Sequence, residues 1–264
     1  MTTFKHVDFE VPAWGELAAG PQTWLAYRQA VLELNPFAYW RLGETTGTTA
    51  LDELGIRHGT YQPNANGQWT GGTLGETGAL YRDANAAAAF GAIAPGWIEL
   101  PFIALPDDLT IVAWVKSFAT TSSSSNTIFS WGQDSGLGHV VEFRIRDTST
   151  GVGALQFLVK DAGGVQDVHG NTELRDAQWH HVAVTREGLT ITLHVDAQLE
   201  ASGEIDVDPA LDYTQIGLVR RGGSNLQNPV EGTLDEVALF PHALTAGQIA
   251  DLYHRGAGLF KPAA

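Results

Sequence analysis

The chain has 264 residues, 44% hydrophobic and 17% charged, with 30 Asp and Glu against 15 Lys and Arg for a formal charge of −15. That length holds one large β domain with an extension or two small domains, and the hydrophobic fraction argues against disorder. The acid excess argues against nucleic acid and anionic membrane as partners, both of which need basic residues at phosphate; with no cysteine, disulfides and thiolate zinc sites are excluded.

Residues 1 to about 21 have little periodicity. Phe4, Val7, Phe9, Val11 and Trp14 are interleaved with Lys5, Asp8, Glu10 and Glu16. The segment reads as an extended arm that packs either on its own domain or on a neighbouring subunit. Acidic residues interrupt it and no apolar core of a signal peptide follows, so secretion by that route is not expected. No run approaches the roughly 18 apolar residues of a membrane span.

Thr23 to Leu34 reads as a short amphipathic helix stopped by Asn35-Pro36. Phe37 to Glu44, FAYWRLGE, then opens a β domain. Glu44 to Tyr61 reads as a turn-rich crossover, and Asn64 to Thr77 as a polar, Gly-rich loop. Ala79-Leu80-Tyr81, Ala86 to Phe90 and Trp97 to Pro101 read as short strands. In Leu109 to Ser117, LTIVAWVKS, both faces are largely apolar, which places this strand centrally in its sheet. Strands over Thr127 to Trp131, His139 to Arg146 and Ala154 to Lys160 follow.

In Gln178 to Thr185, QWHHVAVT, alternation sends His180 and His181 to opposite faces, so the two cannot chelate one ion. Gly188 to Asp196 is the partner strand of a hairpin. Tyr213 to Val219 and Leu234 to Leu239 complete the sheet. Thr245 and Gln248 fit a capping box for a helix with Ile249, Leu252 and Tyr253 on one stripe, closed by Gly256. Trp114 and Trp179, each inside a strand, read as core anchors.

Several of these stretches resemble one family. Gly232 to Gly256, GTLDEVALFPHALTAGQIADLYHRG, is similar to the closing strand and helix of laminin-G-like domains of the concanavalin A-like superfamily. WHHVAVT and LTIVAWVK resemble two further family strands. Residues 27 to 44 resemble the opening of laminin-G-like domains in bacteriophage tail and other virion proteins. The resemblance implies an all-β fold: a two-sheet antiparallel jelly roll over residues 36–264, with the arm and a short helix in 1–35 and a short C-terminal helix. It also implies one structural calcium ion at the sandwich edge, with Glu44 and Asp235 at the matching positions and Asp52 as a third candidate; calcium takes oxygen ligands of this kind. The other reading makes Asp235 a hydrogen-bond acceptor for a neighbouring loop.

Catalytic motifs are missing. A jelly-roll glycosidase needs two carboxylates on one strand face, whereas Glu142 and Asp147 of HVVEFRIRD are five apart and on opposite faces. No serine sits in a nucleophile elbow, and no Gly-rich phosphate loop carries a Lys. The expectation is a non-enzymatic virion structural, decoration or tail protein, anchored by its arm to other virion proteins. It would display a module for adhesion to a host-surface glycan or protein, as a monomer or homo-oligomer. The alternative is a carbohydrate-binding lectin-like module on a bacterial surface or outside the cell.

Overall fold

The computed structural model describes residues 22–62, 72–91, 96–118, 125–133, 138–147, 151–206, 209–221 and 225–258; the arm lies outside them. Helix α1 (Gln22–Glu33) is followed by β1 (Ala38–Trp40), β2 (Thr49–Ala50), β3 (Gly59–Gln62), β4 (Gly72–Thr77), β5 (Ala86–Phe90) and β6 (Trp97–Leu100). Then come β7 (Leu109–Ser117), β8 (Asn126–Gly132), β9 (Val140–Asp147), β10 (Gly153–Asp161), β11 (Gly164–His169) and β12 (His180–Glu187). The chain continues through β13 (Thr190–Val195), β14 (Gln198–Glu204), β15 (Tyr213–Ile216), β16 (Val219–Arg220), β17 (Leu226–Gln227), β18 (Gly232–Phe240) and α2 (Ala246–Gly256).

Two antiparallel sheets of eight strands face each other. The first runs β14-β13-β12-β7-β18-β5-β4, with β1 also on β18; the second runs β11-β10-β9-β8-β15-β6-β3-β2. The two-sheet sandwich expected from the sequence is therefore present. Alternation explains where each side chain goes. Leu109, Ile111, Ala113 and Val115 of β7 join the core between the sheets, together with Phe129, Trp131, Phe143 and Phe157 of the second sheet. Val112 and Trp114 point the other way, into a second apolar layer. Being buried on both faces fits the central place of β7 between β12 and β18.

That second layer lies between the first sheet and the two helices. Tyr27, Ala30 and Val31 of α1 and Ile249 and Leu252 of α2 pack on Tyr39, Val112, Trp114, Ala183 and Phe240. Thr245 caps α2 as expected: its Oγ1 accepts from Gln248 N at 3.3 Å and its N–H donates to Gln248 Oε1 at 2.8 Å. Gly256 does not close the helix; Ala257 is the cap residue and Gly258 takes the positive φ of 71°. Gly256 is needed for a close approach instead. A Cβ there would lie 2.5 Å from Trp114 Cζ2.

One row of this layer is polar. His181 pairs with Trp114 across β12–β7, and Trp114 with Asp235 across β7–β18. The His181 ring lies 5.3 Å from that of Trp114 and 6.4 Å from that of Tyr27, centroid to centroid. Among the described residues, neither His181 nitrogen nor Asp235 Oδ1 has a hydrogen-bond partner, and all three atoms are buried. His180 points away from this layer, as alternation requires, and contacts Asp196 and Asp176.

Several expectations need correction. Gly72–Thr77 is an edge strand, not part of a loop, and 79–81 is a turn between β4 and β5. The crossover before Tyr61 contains β2 and most of β3. Strands β11 and β14 have no counterpart in the sequence reading. Trp114 is a core anchor, but Trp179 is only half-buried at the edge of its layer, with Lys116 Nζ 5.1 Å from its ring.

Candidate functional site

The last strand carries a bulge. Its register against β7 shifts between Asp235 and Ala238, and Glu236 sits at φ 54°. A bulge adds a residue and resets which side chains face inward. Leu234, Val237 and Leu239 therefore all reach the core, while Glu236 is fully buried among polar groups. Arg41 Nη2 lies 2.7 Å from Glu236 Oε1 and 2.5 Å from Asp83 Oδ2, and Tyr39 Oη donates to the other Glu236 oxygen. Burial and then the Glu236 charge push Asp235 well above the usual carboxylate range. Burial pushes Glu236 up as well, to about 7, although the Arg41 charge and the hydrogen bonds from Arg41 and Tyr39 favour its ionised form.

The three carboxylates expected to hold calcium do not form a shared site. Asp52 accepts four backbone N–H groups, from Tyr39, Leu54, Ile56 and Arg57, at 2.9 to 3.2 Å. It is the organiser of a tight loop, and its lone pairs are taken. Glu44 accepts from Leu51 N and Tyr61 Oη, both at 2.9 Å. Asp235 accepts from Ala79 N at 2.8 Å, which matches the loop-acceptor reading. Among the described residues no group of three or more His, Asp or Glu side chains is placed to hold a metal ion. Asp52 is spent on its loop and does not fit a shared calcium ion, whereas Glu44 and Asp235 keep acceptor capacity, Asp235 at Oδ1.

A different set of groups converges on the outer face of the second sheet. Strand pairing aligns Glu99, Gln215, Ser130 and Glu142 in one row across β6, β15, β8 and β9. Glu142 is fully buried and accepts from Thr127 Oγ1 at 2.9 Å, Arg144 Nη1 at 3.1 Å, Asn228 Nδ2 at 2.9 Å, and Arg221 Nη2. Arg144 Nε also donates to Gln156 Oε1 at 2.7 Å, and Gln156 Nε2 to Asp167 Oδ2 at 2.7 Å. At the far end of the row, Glu99 accepts from Gln215 Nε2 at 2.8 Å and Trp97 Nε1 at 3.2 Å.

The segment with β16 and β17 folds over this face. Val219 packs with Val140 and Leu158 in a small apolar cluster, and the Arg220 guanidinium stacks 4.2 Å over Tyr213. Burial alone would raise Glu142; the charges of Arg144 and Arg221 and the Asn228 hydrogen bond outweigh it and hold the carboxyl below its usual range. A carboxylate held ionised by two guanidinium groups has no proton to give and is a weak base, so it is unsuited to general acid or base work. Thr127, Ser130, Arg144, Gln156 and Gln215 are buried in the network, and at its rim Arg220, Arg221 and Asn228 keep partial exposure.

A family model described as the concanavalin A-like lectin/glucanases superfamily matches residues 94–250. The chain belongs to that superfamily. Its members' fold recurs in domain 4 of an extracellular arabinanase from Geobacillus stearothermophilus, solved with arabinotriose. That domain is 19% identical with a TM-score of 0.61, over 83% of this chain and 98% of that one. It recurs in the binding domain of botulinum neurotoxin serotype D/C, 12% identical with a TM-score of 0.57, over 83% of this chain and 51% of that one. Among curated proteins none matches.

Sequence reasoning found Glu142 only as half of a failed catalytic pair. A signal was available: Glu142, Arg144 and Arg146 alternate in HVVEFRIRD, so all three share the face opposite Val141, Phe143 and Ile145. Arg221 and Asn228 come from a segment about eighty residues away, and no local pattern ties them to β9.

Proposed function

We propose that this superfamily member is a non-enzymatic, lectin-like adhesion module whose ligand face is the outer face of the second sheet. The observation that carries the reading is the buried Glu142 network. Burying a carboxylate with two guanidinium groups costs desolvation that a purely structural sheet face would avoid with apolar cover or open solvent. The network fixes the partly exposed Arg221 and Asn228 at its rim, and fixed polar groups suit a ligand made of hydroxyl groups, because pre-placed partners reduce the ordering cost of binding. The arabinanase domain of the same fold, solved with arabinotriose, supports a saccharide as the ligand class.

The wider role we propose is display on a virion, with residues 1 to about 21 as the attachment arm and a host-surface glycan or protein as target. The resemblance of residues 27 to 44 to virion laminin-G-like domains supports it; a bacterial surface or extracellular setting is the second. A glycan array tests the module: saturable binding at millimolar or better is expected, and no binding to any glycan refutes it. Deleting Met1 to Gly20 tests the arm. The truncated sandwich should fold but fail to co-purify with particles, and normal incorporation refutes the attachment role.

A further inference from the structure

The charges on the proposed ligand face differ in sign from those of the molecule. Outward-facing positions of β9, β10 and β11, with Arg220 and Arg221, carry five of the chain's 15 basic residues: Arg144, Arg146, Lys160, Arg220 and Arg221. The same positions carry two of its 30 acidic residues, Glu142 and Asp167. Both acids are already engaged, Glu142 by Arg144 and Arg221, and Asp167 by Gln156 and His169. Arg146 is exposed and Lys160 half-buried, on the same face as the network. A chain of charge −15 thus presents a cationic island that runs along the β9–β10 hairpin, from Arg146 at one end to Lys160 at the other, beside the buried Glu142 network.

We infer that this face takes an acidic oligosaccharide, whose successive carboxylates or sulfate esters meet Arg146, Arg221 and Lys160 at separate points along β9 and β10. The inference rests on the reading of the face as a glycan site and adds its ligand class. Planar guanidinium groups match both anions with paired N–H donors. At physiological salt the screening length is about 8 Å, so an anion seated on the island is shielded from most of the remaining acidic surface. A long polyanion such as DNA would have to lie along that acidic surface as well, and is disfavoured. Glu142 completes the logic. It spends one of its two guanidinium partners' charges and fixes both in place, which leaves Arg221 ordered but not neutralised.

The test uses the full chain with four probes at physiological salt: oligogalacturonate, dextran sulfate, neutral dextran and a short DNA duplex. Calorimetry should show at least one acidic saccharide binding tenfold or more tightly than dextran. Oligogalacturonate alone would identify a carboxylate site, and dextran sulfate alone a sulfate site. Arg146→Ala with Lys160→Ala changes two accessible side chains; the doubly substituted protein should keep its melting temperature and lose the preference. Dextran, or any neutral glycan found on the array, binding as well as the acidic probes overturns the ligand class while leaving the glycan site intact. No saccharide binding at all overturns both. DNA binding as tight as the saccharides, or a preference that survives the double substitution, overturns the assignment to this face.

Discussion

His181 makes a sharp prediction about acid. Its imidazole is fully buried between β7, α1 and α2, with neither nitrogen hydrogen-bonded. Burial pushes it down from 6.5 to about 4; the charge of Asp196 opposes that shift and His194 adds to it. A histidine with a depressed folded pKa binds fewer protons when folded than when unfolded. Its contribution is therefore whole above the unfolded value of about 6.5 and is lost as pH falls toward 4. Between pH 7.5 and 4.5 these two values imply a loss of about 2.5 kcal/mol from this one group. Other groups titrate over the same interval, and Asp235 acts with the opposite sign, since its folded pKa is raised. The measurement is therefore a difference. Urea unfolding would be followed at both pH values for the protein and for His181→Phe, which keeps a ring against Trp114 and Tyr253 but cannot take a proton. The wild type should lose about 2.5 kcal/mol more than the variant. Equal losses in both would refute the claim that His181 is held neutral by its burial.

Three further expectations concern stability. The β13–β14 turn places Asp196 at φ 48° and Ala197 at φ 68°, and an alanine is strained there; Ala197→Gly should stabilise by about 0.5–1 kcal/mol in urea, net of the greater freedom of the unfolded chain, and a destabilised variant refutes the strain. Gly256→Ala gains about 1 kcal/mol of helix propensity but drives a methyl against Trp114, so a net loss of about 1–2 kcal/mol is expected; a stabilised variant would show that the layer yields. Asp52→Ala strands backbone N–H groups that include the buried one of Tyr39, and should cost about 2–4 kcal/mol. Thermal melting in millimolar calcium and in EGTA tests the calcium expectation: a calcium-dependent rise that disappears in Asp235→Asn would support an ion at Asp235, and coincident melts would rule it out.

The elements legible in the sequence were those whose neighbours leave them no choice. Strand β7 is apolar on both faces because sheet pairs flank it and layers cover it on both sides, and β12 alternates cleanly because one face meets the core and the other the helices. The Thr245 capping box is local chemistry and could be read directly. Edge strands were missed for the opposite reason. Gly72–Thr77 and Gly164–His169 bury little, so selection for an apolar period is weak there, and their polarity imitates a loop. The Asp235–Ala238 bulge hid Glu236, because a single extra residue breaks the parity on which every inward or outward assignment depends. The Glu142 network was half legible: β9 shows its own acid and bases, but the Arg221 and Asn228 partners are supplied by tertiary structure alone.

The position of β18 also governs how the fold can be assembled. Near the end of the described chain, this strand lies between β7 and two partners that precede it by far: β5 through residues 232–234 and β1 through residues 237–239. On a ribosome, β12, β13 and β14 can zip onto β7 in sequence order. The β4–β5 hairpin can form early, but it and β1 have no place in the first sheet until β18 emerges, nearly two hundred residues after β1 is made. Contacts of such long separation slow folding, and the waiting strand edges are open to wrong partners in the meantime. A ribosome stalled before β18 would therefore release half a sheet, and the last twenty-five or so residues of the domain act as its commitment step.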